Sequence, residues 1–350
     1  MTETKAPTPA EIRAYRAENV RMRERDIAAA LGISEAALVA AEVGLTATRI
    51  DAHPNRLLER VKELGEVMAL TRNESAVHEK IGEFETIKPA EHVSLTLGEN
   101  MDMRIFNNVW AHGFAVTKTD GDTERLSLQY FDKAGDAVFK LHLRPASNVA
   151  AYRALVADLT LENQSQDFVA EPVNRSEEDD PSVTQEHLRD AWSRMTDTHQ
   201  FFGMLKKLKI GRQRAVRIVG EDYAWKLADG AAADLLRGAA ETQVPIMCFV
   251  ANRGMVQIHG GPVSNIQPMG PWINVMDPSF HLHLRQDHIT EAWAVRKPTA
   301  DGTVTSFEAF NAKGELIIQF FGKRKEGGGE LSGWRDLVEN LPRAQTSVAA

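Results

Sequence analysis

The chain has 350 residues, 43% of them hydrophobic and 26% charged, which suits two globular domains of ordinary size. Its formal net charge of −8 argues against a general binder of nucleic-acid backbones, because such a protein needs a basic surface. The single cysteine, Cys248, excludes an intrachain disulfide and any metal site built on several cysteines.

The first residues lack the apolar core of a secretory signal, and no apolar run approaches the ~20 residues of a membrane span. We therefore expect a cytoplasmic protein that does not insert into membranes. Cys248 lies in the apolar run PIMCFVA and is expected to be a small buried residue.

The C-terminal half of the chain repeats the N-terminal half at an offset of 179 residues. In one stretch, Met68, Asn73, Val77 and Gly82 correspond to Met247, Asn252, Val256 and Gly261. In another, Ala115, Lys118, Ser127, Phe131 and Gly135 correspond to Ala294, Lys297, Ser306, Phe310 and Gly314. A duplicated fold keeps its skeleton in both copies, so residues present in only one copy are the first candidates for function.

The predicted elements of the first copy are helices followed by strands. Residues 1–9 are expected to be disordered, Pro9 to about Leu64 to be helical, and about Val67 to Leu143 to form strands. Hairpin turns are predicted at Asp120-Gly121 and Lys133-Ala134-Gly135, which favours an antiparallel meander. A helix over 147–162 closes the copy.

The second copy repeats this order after a polar, acidic linker. Helices are predicted from about Thr184 to Thr242, strands from Pro245 to Lys323, and a last helix in LSGWRDLVENL. We divide the chain into an N-terminal repeat (1–165), the linker (166–183) and a C-terminal repeat (184–345). Helices followed by a large antiparallel sheet, twice, indicate an α+β fold.

The segment RERDIAAALGISEAALVAAEVG has the length and the turn glycine of a helix-turn-helix. Its second helix has no Arg, Asn, Gln or Lys to read bases, and it carries Glu35 and Glu42, which phosphates repel. We favour an ordinary packed helical pair, and a DNA-binding regulator is the alternative.

His199 is the main candidate for ligand chemistry. It is predicted in the first turn of a helix that Thr196 or Asp197 caps, and it falls on Arg23 when Gly220 is aligned with Gly44. A lone histidine usually makes only local hydrogen bonds. An imidazole beside an aromatic, methionine-containing surface, however, suits a haem iron.

Four basic residues, Arg212, Arg214, Lys297 and Arg324, are candidates for an anionic ligand. Each is typical of a solvated face, but together they could pair with the carboxylates of a porphyrin, since arginine binds carboxylates in a bidentate manner.

The segment HLHLRQDH places His281 and His283 on one face of a strand, where two histidines could bind a transition metal. No third ligand is indicated, so a dedicated metal site is not expected. Arg104 of the first copy falls on His283.

Four segments resemble a known bacterial family: LTRNESAVHEKIGEFE, MDMRIFNNVWAHGFAV, TDTHQFFGMLKKLKIGRQRA and FFGKRKEG. The family comprises the cytoplasmic hemin transport proteins and hemin-degrading factors of haem-uptake operons. The resemblance covers nearly the whole chain, and its most specific element is T-D-x-H-Q-F-F. It implies two stacked antiparallel sheets with flanking helices, and haem as the bound cofactor.

The resemblance also implies roles for individual residues. His199 is similar to the axial ligand of the haem iron, and Arg104 is similar to an arginine on the opposite face, where a permanent cation can donate to bound water, O₂ or peroxide. The remaining implied haem-binding residues are Phe106, Arg212, Phe249, Lys297, Gln319 and Arg324.

The implied function is to receive imported haem and to transport it or degrade it oxidatively with an external reductant. Arg104 would be the catalytic residue of the degrading activity. A permease, a downstream haem acceptor and a second copy of the chain are the partners that the resemblance allows, and nucleic acid is not among them.

Overall fold

The computed structural model describes residues 6–173, 179–324 and 329–345. Of residues 1–9, which were predicted to be disordered, 1–5 lie outside the described residues, as does the part of the acidic linker at 174–178. The prediction was wrong at Thr8 and Pro9, because the Thr8 side chain caps α1 and Pro9 begins it. None of the described helices is long and apolar enough to cross a bilayer.

The first half of the chain alternates short helices with strands before its main run of strands. Its elements are α1 (Pro9–Glu18), α2 (Glu24–Leu31), α3 (Glu35–Ala40), β1 (Ala47–Ile50), α4 (Pro54–Leu58), β2 (Val67–Arg72), β3 (Ala76–Gly82), β4 (Thr86–Lys88), β5 (Val93–Leu97), β6 (Asp102–Phe106), β7 (His112–Asp120), β8 (Thr123–Phe131), β9 (Ala137–Leu143) and α5 (Val149–Leu159).

The second half repeats this order. Its elements are α6 (Gln185–Ser193), α7 (Gln200–Leu208), α8 (Arg212–Ile218), β10 (Ala224–Leu227), α9 (Ala231–Thr242), β11 (Ile246–Ala251), β12 (Met255–Gly261), β13 (Ile266–Met269), β14 (Trp272–Met276), β15 (Phe280–Arg285), β16 (Glu291–Thr299), β17 (Gly302–Phe310), β18 (Leu316–Gly322) and α10 (Ser332–Glu339). Short 3₁₀ turns lie at Val61–Leu64, Asn107–Val109 and Gln286–His288.

The chain divides into two compact units that exchange short segments. The first unit comprises Met1–Arg72, Glu79–Asn174 and Asn252–Gln257, and the second comprises Asn73–His78, Arg175–Ala251 and Ile258–Ala350. The start of β3 therefore belongs to the second unit, and the start of β12 belongs to the first.

Within each unit the strands form two antiparallel ladders. In the first unit these follow the orders β1-β7-β8-β9-β2 and β4-β5-β6, and in the second unit the orders β10-β16-β17-β18-β11 and β13-β14-β15. The α+β class and the repeated order of helices before antiparallel strands are confirmed. The predicted turn glycines Gly121 and Gly135 adopt positive φ angles, as hairpin turns require.

Each unit has its own apolar core, built from one face of the five-stranded ladder and the helices packed on it. In the second unit, Leu235 and Leu236 of α9 and Trp334 of α10 pack with Phe307 and Phe320 of the sheet. Cys248 is fully buried in the same core, as the sequence predicts. This face is closed by helices, which leaves the opposite face of the ladder to the candidate site.

Two strands were not predicted. β1 and β10 lie in segments predicted to be helical, but each pairs along its length with the first strand of a hairpin, β7 or β16. Four residues are too few to show a period of two, so the pairing partner decides the conformation.

The helix-turn-helix-like segment is a packed pair of short helices. Ala36, Leu38, Val39 and Ala40 of α3 are buried, and Glu35 forms ion pairs with Arg72 and Lys140. A helix turned inward in this way does not present a recognition face, which favours the packed pair over the DNA-binding alternative.

Asn73 and Asn252, which correspond in the two copies, hold equivalent turns. The side-chain amide of each donates to two backbone carbonyls of its own unit, and the side-chain oxygen accepts backbone N–H groups of the turn that follows. The acceptors are Ala251 and Ile317 for Asn73, and Arg72 and Val138 for Asn252. The identity of these residues in both copies therefore has a structural cause.

We predict that Asn73→Ala and Asn252→Ala each lower the free energy of unfolding by about 2–3 kcal/mol, because several partly buried partners lose their hydrogen bonds. Urea unfolding followed by circular dichroism measures this. Asn163→Ala, which removes one exposed bond to Ser165, is the control and should cost less than about 0.5 kcal/mol. Equal losses in all three variants would contradict the structural role.

Candidate functional site

The segment before α7 places His199 at the helix N-terminus. α7 begins at Gln200, and His199 is its N-cap residue. The prediction placed His199 inside the first turn and the cap at Thr196 or Asp197, so the helix begins later than predicted. The reason is that Thr196 and Asp197 make hydrogen bonds within a turn that precedes the helix.

Thr196 and Gln200 hold this turn from both sides. The Thr196 N–H donates to Gln200 Oε1 at 2.9 Å, and Gln200 Nε2 donates to Thr196 Oγ1 at 3.1 Å. The Thr196 carbonyl accepts the N–H of Ala300 at 2.8 Å, which ties the turn to the β16–β17 hairpin. The backbone at His199 is therefore fixed although its side chain lies at the surface.

The His199 imidazole is oriented by one carboxylate. Asp197 Oδ1 lies 2.7 Å from both the backbone N and Nδ1 of His199. An ionised carboxylate can only accept a hydrogen bond, so Nδ1 carries the hydrogen, and in the neutral ring Nε2 keeps its lone pair. The ring is 91% exposed. A histidine in this state is ready to bind a metal through Nε2.

The backbone and imidazole N–H groups of His199 also lower the pKa of Asp197, and Arg324 contributes to this effect. The Asp197 carboxylate is therefore ionised at neutral pH. Arg324 acts on Asp197 through its charge.

The face of the five-stranded ladder opposite the α9–α10 core carries the other candidates of the second unit. Phe249 pairs with Gln319, and Gln319 pairs with Glu308, so these three side chains lie on one face of β11, β18 and β17. Phe321 lies on the same face, and its ring meets that of Phe249 edge-on at 5.2 Å. This half-buried aromatic pair offers an apolar surface.

Glu308 is a fully buried carboxylate at the centre of this face, and the sequence analysis missed it. Arg212 donates to both of its oxygens, at 2.7 and 3.0 Å, and Lys297 Nζ donates to Oε1 at 2.6 Å. Ser306 and Gln319 donate to the same oxygen at 2.9 and 3.1 Å. The Glu308 network, as we call these five residues, joins α8 to β16, β17 and β18.

The network lies beneath α7. The ring of Phe201 is 4.7 Å from Lys297 Nζ and 5.0 Å from the Arg212 guanidinium. Burial lowers the pKa of Lys297 to about 8. Burial alone would raise the pKa of Glu308, but Arg212 and Lys297 hold it well below its usual range. Two cations therefore face one anion, and the network keeps a net positive charge at neutral pH.

The structure gives three of the predicted basic residues partners within the protein. Lys297 is only 2% exposed and, like Arg212, binds Glu308, so both contact the sheet face from within. Arg214 donates to three backbone carbonyls of the linker end, at residues 180, 181 and 183, and has a structural role.

Arg104 and Phe106 belong to the first unit. Both lie on the same face of β6, opposite Leu95 and Val93 of β5. The Arg104 guanidinium donates to Asp102 at 2.5 Å and to the Met103 carbonyl at 3.2 Å, and about a third of its side chain is exposed.

The corresponding face of the first unit carries different chemistry. Gln129 stands at the position of Glu308, Lys140 at that of Gln319 and His142 at that of Phe321. Glu35 of α3 supplies the carboxylate for Lys140, so the sheet contributes the cation and the helix the anion. Burial and the neighbouring lysines lower the pKa of His142 to about 4. The two copies thus carry different residues at the candidate site.

Comparison with known proteins agrees with this architecture. The family model described as the haemin-degrading HemS.ChuX domain matches residues 32–159 and again 209–341. The hemin transport protein HemS of Yersinia enterocolitica is 39% identical over 327 residues, which cover 93% of this chain and 94% of that protein.

Two solved structures are similar over nearly the whole chain. The crystal structure of holo-PhuS, a heme-binding protein from Pseudomonas aeruginosa, has a TM-score of 0.94 and 40% identity, covering 97% of this chain and 100% of PhuS. The heme degrading enzyme ChuS of Escherichia coli O157:H7 has a TM-score of 0.87 and 35% identity, covering 95% and 99%. The chain belongs to the HemS/ChuX family of haemin-degrading domains, present twice in one polypeptide.

We predict that Glu308→Gln lowers the free energy of unfolding by about 3–5 kcal/mol at pH 7, because it leaves buried cations without their anion. The pKa of this carboxylate is depressed, so its stabilising effect is full above the ordinary value of 4.5 and is lost as the pH falls below it. The difference between wild type and variant should therefore shrink between pH 5 and about pH 3.

Chemical denaturation at several pH values measures this difference. Glu241→Gln, at an exposed glutamate of α9, is the control and should change stability by less than about 0.5 kcal/mol. A Glu308→Gln variant as stable as the wild type would contradict the network.

Proposed function

We propose that the chain is a haem-binding protein and that the second unit holds the haem iron through Nε2 of His199. The observation that carries this proposal is the state of that imidazole: its Nδ1 is engaged by Asp197, and its ring is exposed at the end of a fixed turn. Neutral imidazole is the common axial ligand of haem iron, and its other nitrogen usually binds a carboxylate or carbonyl.

The rest of the sheet face fits a flat, apolar, dianionic ligand. Phe249 and Phe321 offer aromatic surface for the macrocycle, and Arg324 offers a cation for a propionate. Gln319, a member of the Glu308 network, pairs with Phe249, so the net positive charge of the network lies beside the aromatic pair and also favours an anionic ligand. We place Phe106 and Arg104 among the haem contacts on the strength of the family resemblance.

The relatives suggest what happens to bound haem. HemS is named a hemin transport protein, PhuS a heme-binding protein and ChuS a heme degrading enzyme. We propose that this chain receives haem after import and opens its ring when electrons and O₂ are supplied, which releases iron. In the absence of a reductant it passes haem on intact.

Bound haem would supply the iron that activates O₂. The residues of the chain would bind it: His199 would hold the iron, and the permanent cation of Arg104 is suited to donate to the oxygen that reacts. Asp102 positions that guanidinium at 2.5 Å. We further propose that the protein acts in the cytoplasm, where it exchanges haem with an import permease or a downstream acceptor and can pair with a second copy of the chain.

We predict that apo-protein titrated with hemin develops a Soret band that saturates at one equivalent, and that His199→Ala shifts and weakens this band because the iron loses its axial nitrogen. His187→Ala, an exposed histidine on α6, is the control and should leave the spectrum unchanged. An unaltered spectrum in His199→Ala would remove the ligand assignment.

We predict that a reductant under air bleaches the Soret band of the haem complex, with bilins and free iron as products, and that Arg104→Ala slows the bleaching without loss of haem. Removing a preorganised donor typically costs about 10²-fold in rate or more. Arg153→Ala, at an exposed arginine, is the control. A wild-type complex that keeps its Soret band would contradict degradation and leave transport as the function.

A further inference from the structure

We propose that Asp197 is the positioning residue of the axial imidazole, and that its carboxylate makes His199 a stronger and more electron-donating ligand. This inference rests on the proposed function, because it assumes that Nε2 of His199 binds iron. It adds a role for a residue that neither the family resemblance nor the sequence pattern assigned.

The geometry restricts the imidazole in two ways. A single carboxylate oxygen, Asp197 Oδ1, accepts the backbone N–H and the Nδ1–H of His199, both at 2.7 Å. The backbone bond forms an Asx turn, which places the carboxylate beside the ring. The side-chain bond then selects one tautomer and one ring orientation. Asp197 therefore decides which nitrogen faces the ligand.

The surrounding hydrogen bonds keep Asp197 in this place. Thr196 and Gln200 bond to each other on either side of it, and the Thr196 carbonyl is anchored to Ala300. The Gln200 N–H donates to the Asp197 carbonyl at 3.1 Å. The run Thr196-Asp197-Thr198-His199-Gln200 is thus a preorganised turn in which Thr196 and Gln200 fix the backbone and Asp197 fixes the imidazole.

The Asp197 carboxylate also changes the electronic properties of the imidazole. A carboxylate that accepts the Nδ1–H bond draws the proton away from the ring and raises electron density at Nε2. A more basic nitrogen binds iron more strongly and favours the ferric over the ferrous state. A neutral amide in the same place would preserve the ring orientation but remove most of this electronic effect. A methyl group would remove both the ring orientation and the electronic effect.

The first test uses apo-protein and does not require haem. We predict that ¹⁵N–¹H correlation spectra at mildly alkaline pH show the neutral His199 ring protonated at Nδ1, and that Asp197→Ala shifts the population toward the Nε2–H form. A wild-type ring that is mainly Nε2–H would overturn the inference. Asp190→Ala, at an exposed aspartate on α6, is the matched control.

The second test measures the iron–imidazole bond in the haem complex. In Asp197→Ala we expect haem affinity to fall by about 10–100-fold, the iron–nitrogen stretching frequency of the ferrous complex to fall, and the reduction potential to rise. In Asp197→Asn we expect near-normal affinity, because the amide oxygen can still accept, together with a raised reduction potential. This difference between the Asp197→Ala and Asp197→Asn variants separates an electronic effect on the iron from simple structural support.

Different results would overturn the assignment of His199 as the ligand and the role of Asp197. If His199→Ala leaves the haem spectrum unchanged, the ligand assignment itself is wrong. If His199 is the ligand but both Asp197 variants keep the wild-type stretching frequency, reduction potential and affinity, only the role of Asp197 is overturned. Thermal unfolding by circular dichroism checks that each variant is folded, which is expected because Asp197 is exposed.

Discussion

Burying the Glu308 carboxylate under helices is the constraint on which the candidate site depends. An ionised carboxylate can be buried only with cations and donors around it, and here these come from α8 and from both neighbouring strands, β16 and β18. Satisfying Glu308 therefore fixes α8 against the sheet. Since α7 is joined to α8 by a short turn and lays Phe201 over the same cations, the helix that begins after His199 is fixed as well.

The two repeats meet the same packing requirement with opposite charge placement. In the second unit the anion is on the sheet and a helix supplies Arg212, whereas in the first unit Lys140 is on the sheet and α3 supplies Glu35. Both arrangements hold helices on a sheet face. The first lacks the histidine at the helix N-terminus, because Arg23 stands at the corresponding position, so the repeats share a skeleton while their surfaces differ.

Much of the fold could be predicted from the sequence because its signals are local. The hairpin glycines at 121 and 135 and the alternating strands depend on neighbours in the chain, and the repeat is visible when the two halves are compared directly at an offset of 179 residues. β1 and β10 could not be predicted, since pairing with a distant strand decides their conformation. His199 was found because it has no counterpart in the other copy.

The Glu308 network was not predicted because Arg212 lies far from its partner carboxylate in the sequence. One signal could have revealed it: Ser306 and Glu308 alternate with apolar residues in TSFEAF, which puts two polar groups on one face of a buried strand. Buried polar residues in such a pattern require partners, and the excess of basic candidates in the same repeat could have supplied them. The start of α7 was misplaced by two or three residues because a side-chain-bonded turn precedes it.

The central claim, that His199 binds haem iron, is tested most directly by a crystal structure of the haem complex. We predict that the iron is bonded to Nε2 of His199, that Nδ1 still contacts Asp197, and that the macrocycle lies against Phe249 and Phe321. An iron bound to a different side chain, with the His199 ring turned away from the haem, would contradict it.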